Sequence, residues 1–349
     1  MDWIDVVIML VKILVVMVAW LTLTAYNTLY ERKVCGYIQS RYGPNRAGPL
    51  GLGQPIADAL KLLMKEDLMP GAVNRVLFVA APIIAILTAI IMFSAIPFGG
   101  SITLTLGGQE RVIPLHIANI NVGILYIFAI SSISVYGIVL GGWSSNNKYS
   151  LLGGLRTGAQ MISYELAMGL GIITVVMMTG SLSLVDIVSE QVIHVGGKTL
   201  PMWNMFKLPH GLIGFVIFLI AMFAETNRAP FDLPEAEQEL VAGYHTEYSA
   251  MKFGGFFVAE YGNMITASAI IATLYMGGWM GLPIVGTLYI PGFIWLIAKI
   301  AFLCFVFIWV RWTIPRFRYD QLMSIGWKIL LPVGLANVFL VSIINYIFG

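Results

Sequence analysis

Eight stretches of about 20 mostly apolar residues recur along this chain, at roughly 6–29, 74–96, 119–140, 160–179, 211–225, 254–275, 289–310 and 328–347. A helix needs about that length to cross the hydrocarbon core of a bilayer. Lipid offers no partner to an open backbone, so each stretch is expected to satisfy its own N–H and C=O groups as a helix. Only 11% of the 349 residues are charged, against roughly a quarter in soluble domains. The expected fold class is therefore all-α: a polytopic membrane protein of about eight transmembrane helices, organised as a single integral membrane domain over 1–349. The fifth stretch is the shortest. The opening residues lack a basic leader and a small-residue cleavage site, so the first stretch is expected to remain as a helix. No internal repeat of the kind that builds many secondary transporters is visible.

An even number of crossings places both termini on one face, and the basic residues indicate which. Fifteen Lys and Arg residues fall in the odd-numbered loops, from Arg32 to Lys328, and only Arg111, Lys198 and Lys207 in the even ones. By the positive-inside tendency the odd loops face the cytoplasm, or the matrix of a mitochondrion, and both termini face the outer, periplasmic side. The same scatter, with a net charge of +2, excludes a nucleic-acid partner. Between the second and third stretches, residues 101–106 alternate, turn at Gly107 and Gly108, and resume at 111–115, the pattern of a small outer β-hairpin.

The inner loops carry the information. The first contains Gln39-Ser-Arg-Tyr-Gly-Pro-Asn-Arg-Ala-Gly-Pro49, a basic segment of tight turns suited to docking another subunit, and runs into residues 54–66. There Asp58, Lys61 and Lys65 fall within about 60° on a helical wheel, opposite Ile56, Leu60 and Leu63, so a helix too short to span should lie in the membrane interface. A simple surface anchor is the plainer reading, and one wall of a binding site the sharper one.

Three glutamates interrupt apolar stretches: Glu165, Glu225 and Glu260. Tracing helices inward and outward at 1.5 Å per residue places all three in the inner third. A carboxylate there costs about 2.5–3.5 kcal/mol on insertion scales, so it usually faces the bundle interior and often marks a proton or ion path. The plainer alternative is that each is a hydrogen-bonded packing residue near enough the surface to be wet. The third inner loop adds Arg228, Asp232, Glu235, Glu237, Glu239 and Glu247. Asp232 and Glu235 have capping-box spacing with Pro234 in the first turn, which accounts for part of the acidity; a water-filled polar channel accounts for the remainder. Lys12 and Lys299 sit in apolar surroundings, each open to pairing with a carboxylate or to snorkelling. Cys35 and Cys304, with the dispersed His116, His194, His210 and His245, offer no ligand spacing, and no glycine-rich nucleotide loop follows a strand. No metal ligands and no catalytic residues are expected, and the cysteines are expected to be packing thiols.

The segments Glu31-Arg-Lys-Val-Cys-Gly36, Arg41-Tyr-Gly-Pro-Asn-Arg46, Gln54-Pro-Ile-Ala-Asp-Ala-Leu-Lys-Leu62 and Ala224-Glu-Thr-Asn-Arg-Ala-Pro-Phe-Asp-Leu-Pro-Glu235 together resemble the quinone-site membrane subunit of respiratory complex I, and the resemblance extends over nearly the whole chain. It implies a subunit of a proton-translocating NADH:quinone oxidoreductase that frames the quinone entry tunnel and chamber with peripheral-arm subunits. It further implies Arg41, Asp58, Lys61, Arg228 and Phe231 along the quinone path, and Glu165, Glu225, Asp232, Glu235, Glu237, Glu247 and Glu260 along a proton path. The substrate implied is a quinone, with ubiquinone the expected species. FMN and iron–sulfur clusters would be carried by partner subunits, and the partners would include small membrane subunits, antiporter-like subunits and membrane lipids. The setting implied is a bacterial cytoplasmic membrane or, alternatively, a mitochondrial inner membrane. Two other classes stay open at this point: a membrane subunit of an energy-converting hydrogenase, which would not use quinone, and a stand-alone ion transporter.

Overall fold

The computed structural model describes residues 3–106, 109–195, 198–233, 242–283 and 290–348. Its long helices are α1 (Trp3–Ile38), α3 (Arg75–Ser94), α4 (Gly123–Ser144), α5 (Lys148–Thr179), α7 (His210–Glu225), α8 (Ala250–Tyr275), α9 (Gly292–Thr313) and α11 (Leu331–Phe348). Short helices α2 (Gln54–Met64), α6 (Leu184–Ser189) and α10 (Tyr319–Ser324) lie between them. Among the described residues seven helical segments are long and apolar enough to cross a membrane, one of them the continuous Tyr319–Ile347 formed by α10, a π-helical stretch Ile325–Leu330 and α11. The eighth, α7, has 16 residues and coincides with the shortest expected stretch. The chain is a multi-pass membrane protein of all-α class.

Hydropathy sees only the part of a helix that lies in lipid. At about 1.5 Å per residue α1 is roughly 54 Å long and α5 roughly 48 Å, so both project well past a hydrocarbon core of about 30 Å. The expected start at 160 for the fourth crossing is thus corrected to Lys148, with Asn147 capping the helix by accepting a hydrogen bond from the Tyr149 amide at 3.0 Å. The extension is rich in small residues because it packs closely: a Cβ on Gly142 of α4 would come within 2.5 Å of the Ser150 carbonyl oxygen.

Helix α8 is the axis of the bundle. It packs on α1, α3 and α9, and 72% of its most apolar window is buried, against 6% for α1, which shows most of its length to lipid. Helices α3 to α5 pack in sequence, and α7 and α11 both lean on α5. On the side of the N-terminus the hairpin β1 (Ser101–Leu106) and β2 (Gln109–Pro114) forms as expected, and Arg111 of β2 pairs with Asp5 of α1 at 2.6 Å. A second hairpin, β3 (Val192–Val195) with β4 (Lys198–Pro201), was not anticipated. Helix α2 keeps Ile56, Leu60 and Leu63 exposed and rests against α1 and α8, with Leu62 filling the space beside Gly254. Glu235, Glu237, Glu239 and the expected helix start at Pro234 lie outside the described residues.

Candidate functional site

The site begins where α7 ends. Glu225 is the last helical residue, Thr226 bonds back to the Met222 and Phe223 carbonyls, and Asn227 takes a left-handed conformation (φ 53°) that turns the chain sharply. Gln160 of α5 straps this turn: its amide Nε2 donates to the Ala224 and Phe231 carbonyls at 2.9 and 2.8 Å and reaches Asn227 Oδ1 at 3.5 Å. Phe231 is buried, its ring lying edge-on to Tyr164 (5.4 Å) and near Phe317 (5.6 Å), while the Tyr164 hydroxyl donates to the Leu322 carbonyl at 2.9 Å. One buried amide therefore fixes both sides of the loop that carries Arg228.

Arg228 is only 3% exposed and lies among acids from two other helices. Its Nη1 meets Glu31 Oε2 at 3.0 Å and Oε1 at 3.3 Å, its Nε meets Glu260 Oε1 at 2.8 Å, and its guanidinium lies 4.2 Å from the centre of the Tyr261 ring. Burial opposes its charge, yet the Glu260 and Glu31 carboxylates outweigh that effect and hold the guanidinium above its ordinary range. Arg311 of α9, more exposed, pairs with Oε1 of Glu31, and Arg316 pairs with the buried Asp232 at 2.9 Å. For Asp232, burial prevails over Arg316 and pushes the carboxyl up to about 6. Breaking such buried pairs by removing one partner costs about 3–5 kcal/mol, because a charge is stranded out of water.

Two small cavities connect these groups to the remaining glutamates. The first, of about 30 Å³, is bordered by Glu260, Asn227, Tyr244 and Phe256; the second, of similar size, by Glu225, Phe128, Ser131 and Met222. Ser134, Thr226 and Asn263 border both, so the cavities adjoin through polar side chains, and the buried Asn263 Oδ1 has no hydrogen-bond partner among the described residues. A water needs about 10–15 Å³ by this measure, so each cavity has room for one or two. Glu165 accepts a hydrogen bond from Ser132 and lies within electrostatic range of Glu225. The structure thus brings Glu165, Glu225 and Glu260 onto one polar line with Arg228 and Asp232 at the end away from the N-terminus. Glu247 stands at its flank, accepting from Asn147 Nδ2 at 2.7 Å.

The other expected site residues lie elsewhere. Arg41 is exposed and bonds Gln39 at 2.6 Å; Asp58 pairs with Arg32 at 2.7 Å and accepts from Gln54 at 3.0 Å; Lys61 is exposed on the polar side of α2. The set anticipated along a quinone path therefore divides into three residues on the side of the bundle away from the N-terminus, Arg41 and Lys61 exposed and Asp58 half-buried, and a buried pair, Arg228 and Phe231. Sequence reasoning passed over Glu31, whose only signal was an acid standing two residues beyond an apolar stretch, at the head of a basic segment. Among the described residues Lys299 pairs with no carboxylate, and it is buried instead of snorkelling: its ammonium donates to the Met276, Gly278 and Met280 carbonyls at 2.6, 2.8 and 2.6 Å. Both cysteines are buried free thiols.

A family model described as NADH dehydrogenase matches residues 11–342. The chain is 51% identical to the H subunit of the NADH-quinone oxidoreductase of Syntrophotalea carbinolica, over 95% of this chain and 94% of that protein. It is likewise 51% identical to the first H subunit of the Geobacter sulfurreducens enzyme (96% and 94% covered) and 49% identical to the H subunit of the Wolbachia pipientis enzyme (95% of each). A match over nearly the whole length, together with relatives at about half identity, establishes that the chain belongs to the NADH dehydrogenase family in which these membrane subunits are found.

Proposed function

We propose that this chain is the membrane subunit of a proton-translocating NADH-quinone oxidoreductase that frames the quinone tunnel and passes the effect of quinone reduction into the membrane. In this reading Arg41, Asp58 and Lys61 lie beside the tunnel mouth at the inner surface, with Arg228 and Phe231 deeper along it. Glu165, Glu225, Asp232, Glu247 and Glu260, with Glu235 and Glu237, form the proton path. Electrons reach quinone from FMN and iron–sulfur clusters in partner subunits. The partners are peripheral-arm subunits at the inner surface, with small and antiporter-like membrane subunits and lipid around the exposed helices. The membrane is a bacterial cytoplasmic membrane, with both termini on its outer side.

The observation that carries the proposal is the polar line from Glu165 through the adjoining cavities to Glu260 and Arg228. Reducing a quinone consumes two protons and places negative charge in a chamber of low dielectric, where uncompensated charge is costly. Buried carboxylates within reach of one another respond by redistributing protons, whereas screened surface groups would not. Moving a charge against the membrane potential takes about 2.3 kcal/mol per 100 mV, so the responding groups must interact strongly. Glu165→Gln or Glu260→Gln is expected to lower quinone-linked NADH oxidation and proton pumping in membrane vesicles about tenfold or more while NADH oxidation by an artificial acceptor persists. Equal loss of both activities would assign these residues to assembly instead.

A further inference from the structure

Arg228 interrupts the line of acids. A guanidinium does not release its proton in a protein, so a proton arriving at Glu260 has no onward path to Glu31 through the side chain that joins them. The four side chains nevertheless form a row of alternating charge, Glu260, Arg228, Glu31 and Arg311, each in contact with the next. From Arg228 the row leads outward: Arg228 is 3% exposed, Glu31 7% and Arg311 27%, while Glu260, on the other side of Arg228, is 14% exposed. We propose that coupling between Glu260 and the inner surface crosses Arg228 as an exchange of ion pairs, with Glu31 as the shared acceptor that hands the change on to Arg311.

The geometry supplies each step. Arg228 uses different nitrogens for its two acids, Nε for Glu260 and Nη1 for Glu31, so the fork holds both at once and weakening one contact frees the guanidinium to lean on the other. The guanidinium carbon lies 4.2 Å from the centre of the Tyr261 ring, which holds the cation beside both acids. Glu31 gives Oε2 to Arg228 at 3.0 Å and shares Oε1 between Arg228, at 3.3 Å, and Arg311, so a firmer grip by Arg228 loosens Arg311. Arg311 then has an acid to turn toward, since the buried Asp232 already lies within its electrostatic reach. Neutralising one carboxylate inside the bundle is thereby read as displacement of an arginine near the surface, with no proton passing between the two ends.

This inference rests on the proposed function above, and the test separates the two. It uses the complete complex in native membranes, with flavin content per purified complex reporting assembly. Arg228→Lys keeps the charge, and lysine, unlike arginine, is able to give up a proton, but one ammonium cannot replace the two-sided fork. Quinone-linked turnover is expected to fall about tenfold in this variant. Glu31→Asp should retain most of the turnover and Glu31→Gln should lose it. The decisive comparison is Glu31→Gln combined with Arg311→Gln. That pair restores neutrality, and if Glu31 merely offsets the charge of Arg311 it will recover activity; exchange of ion pairs requires it to stay as low as Glu31→Gln alone. Near-normal turnover in Arg228→Lys, or recovery in the double variant, overturns the inference. If Arg228→Lys does not assemble, the Glu31 variants decide alone. Full activity in Glu260→Gln would instead overturn the proposed function itself.

Discussion

Two buried cations stand against the same helix, α8, and their neighbours could hardly differ more. Arg228 lies against Glu260 in its first half and shares its charge between two carboxylates and the Tyr261 ring. Lys299 lies at its C-terminal end, 16 residues and so about 24 Å further along, and is held by three backbone carbonyls with its ammonium 4.8 Å from the Trp203 ring. Carboxylates change charge when they take up a proton; carbonyls do not. The partners of the first side chain are therefore free to change charge and those of the second are not, although both settings keep a basic group out of water. At Lys299 the carbonyls are the unsatisfied C-terminal groups of α8 and the turn after it, which favour a positive charge through the helix dipole. At the far end of the same helix the protein places chemistry that is free to vary.

The largest effect should come from the Lys299 end. Lys299→Met leaves three buried carbonyls without a donor, at about 1–3 kcal/mol each, and should abolish accumulation of the chain and every activity with it. Measuring its steady-state level in membranes checks this. A well-assembled Lys299→Met protein with selective loss of quinone-linked turnover would break the comparison, because it would make the carbonyl-held side chain responsive. An intermediate effect is expected from Gln160→Leu, which unfastens the Ala224 and Phe231 carbonyls and so loosens the loop carrying Arg228. It should lower quinone-linked turnover several-fold and reduce the chain level less than Lys299→Met does, because two buried carbonyls lose their donor instead of three, at about 1–3 kcal/mol each.

The smallest effect concerns pH. Burial raises the Asp232 carboxyl from 3.8 to about 6, so between those values the folded chain binds a proton that the unfolded chain has released. Stability from this group is complete below about 3.8 and is lost as pH rises through about 6, while the ion pair with Arg316 forms over the upper part of the same range. A step in quinone-linked turnover near pH 6 is expected in the native complex and should vanish in Asp232→Asn. His245 titrates lower, because burial alone depresses it from 6.5 to about 4, so it is neutral at that step and should not contribute to it.

How far the sequence discloses this molecule depends on whether a feature is local. Hydropathy locates each of the seven long apolar segments among the described residues, and the 16-residue α7 as well, because the cost of lipid exposure is set residue by residue. It misses the polar extension of α5 back to Lys148, whose helix is held by tertiary contact with α4 and not by lipid. The second hairpin was legible, since Gly196 and Gly197 repeat the Gly107 and Gly108 signal, but its strands are only four residues each and alternate weakly. Glu165, Glu225 and Glu260 announce themselves by interrupting apolar stretches. Glu31 does not, because it opens a charged segment in which nothing marks one residue as buried; its partners come from 197 and 280 positions away. Lys299 was visible as a cation out of place, while its carbonyl partners, belonging to backbone, leave no trace in side-chain identity.

Helix α1 is mostly uncovered, yet Trp20 on it is fully buried, with its indole N–H donating to Thr266 at 3.4 Å and its ring filling the space that a Cβ on Gly262 would need. Eleven residues separate Trp20 from Glu31, and eleven steps of 100° return to within about 20° of the starting direction. The indole thus acts as a rivet that sets the azimuth of the whole rod, and Glu31 inherits its aim from a ring three turns away. A side chain as small as a methyl group at position 262 would spin that rod and point the acid away from its arginines, so the tuning of the charged row is decided in the greasy middle of the bilayer.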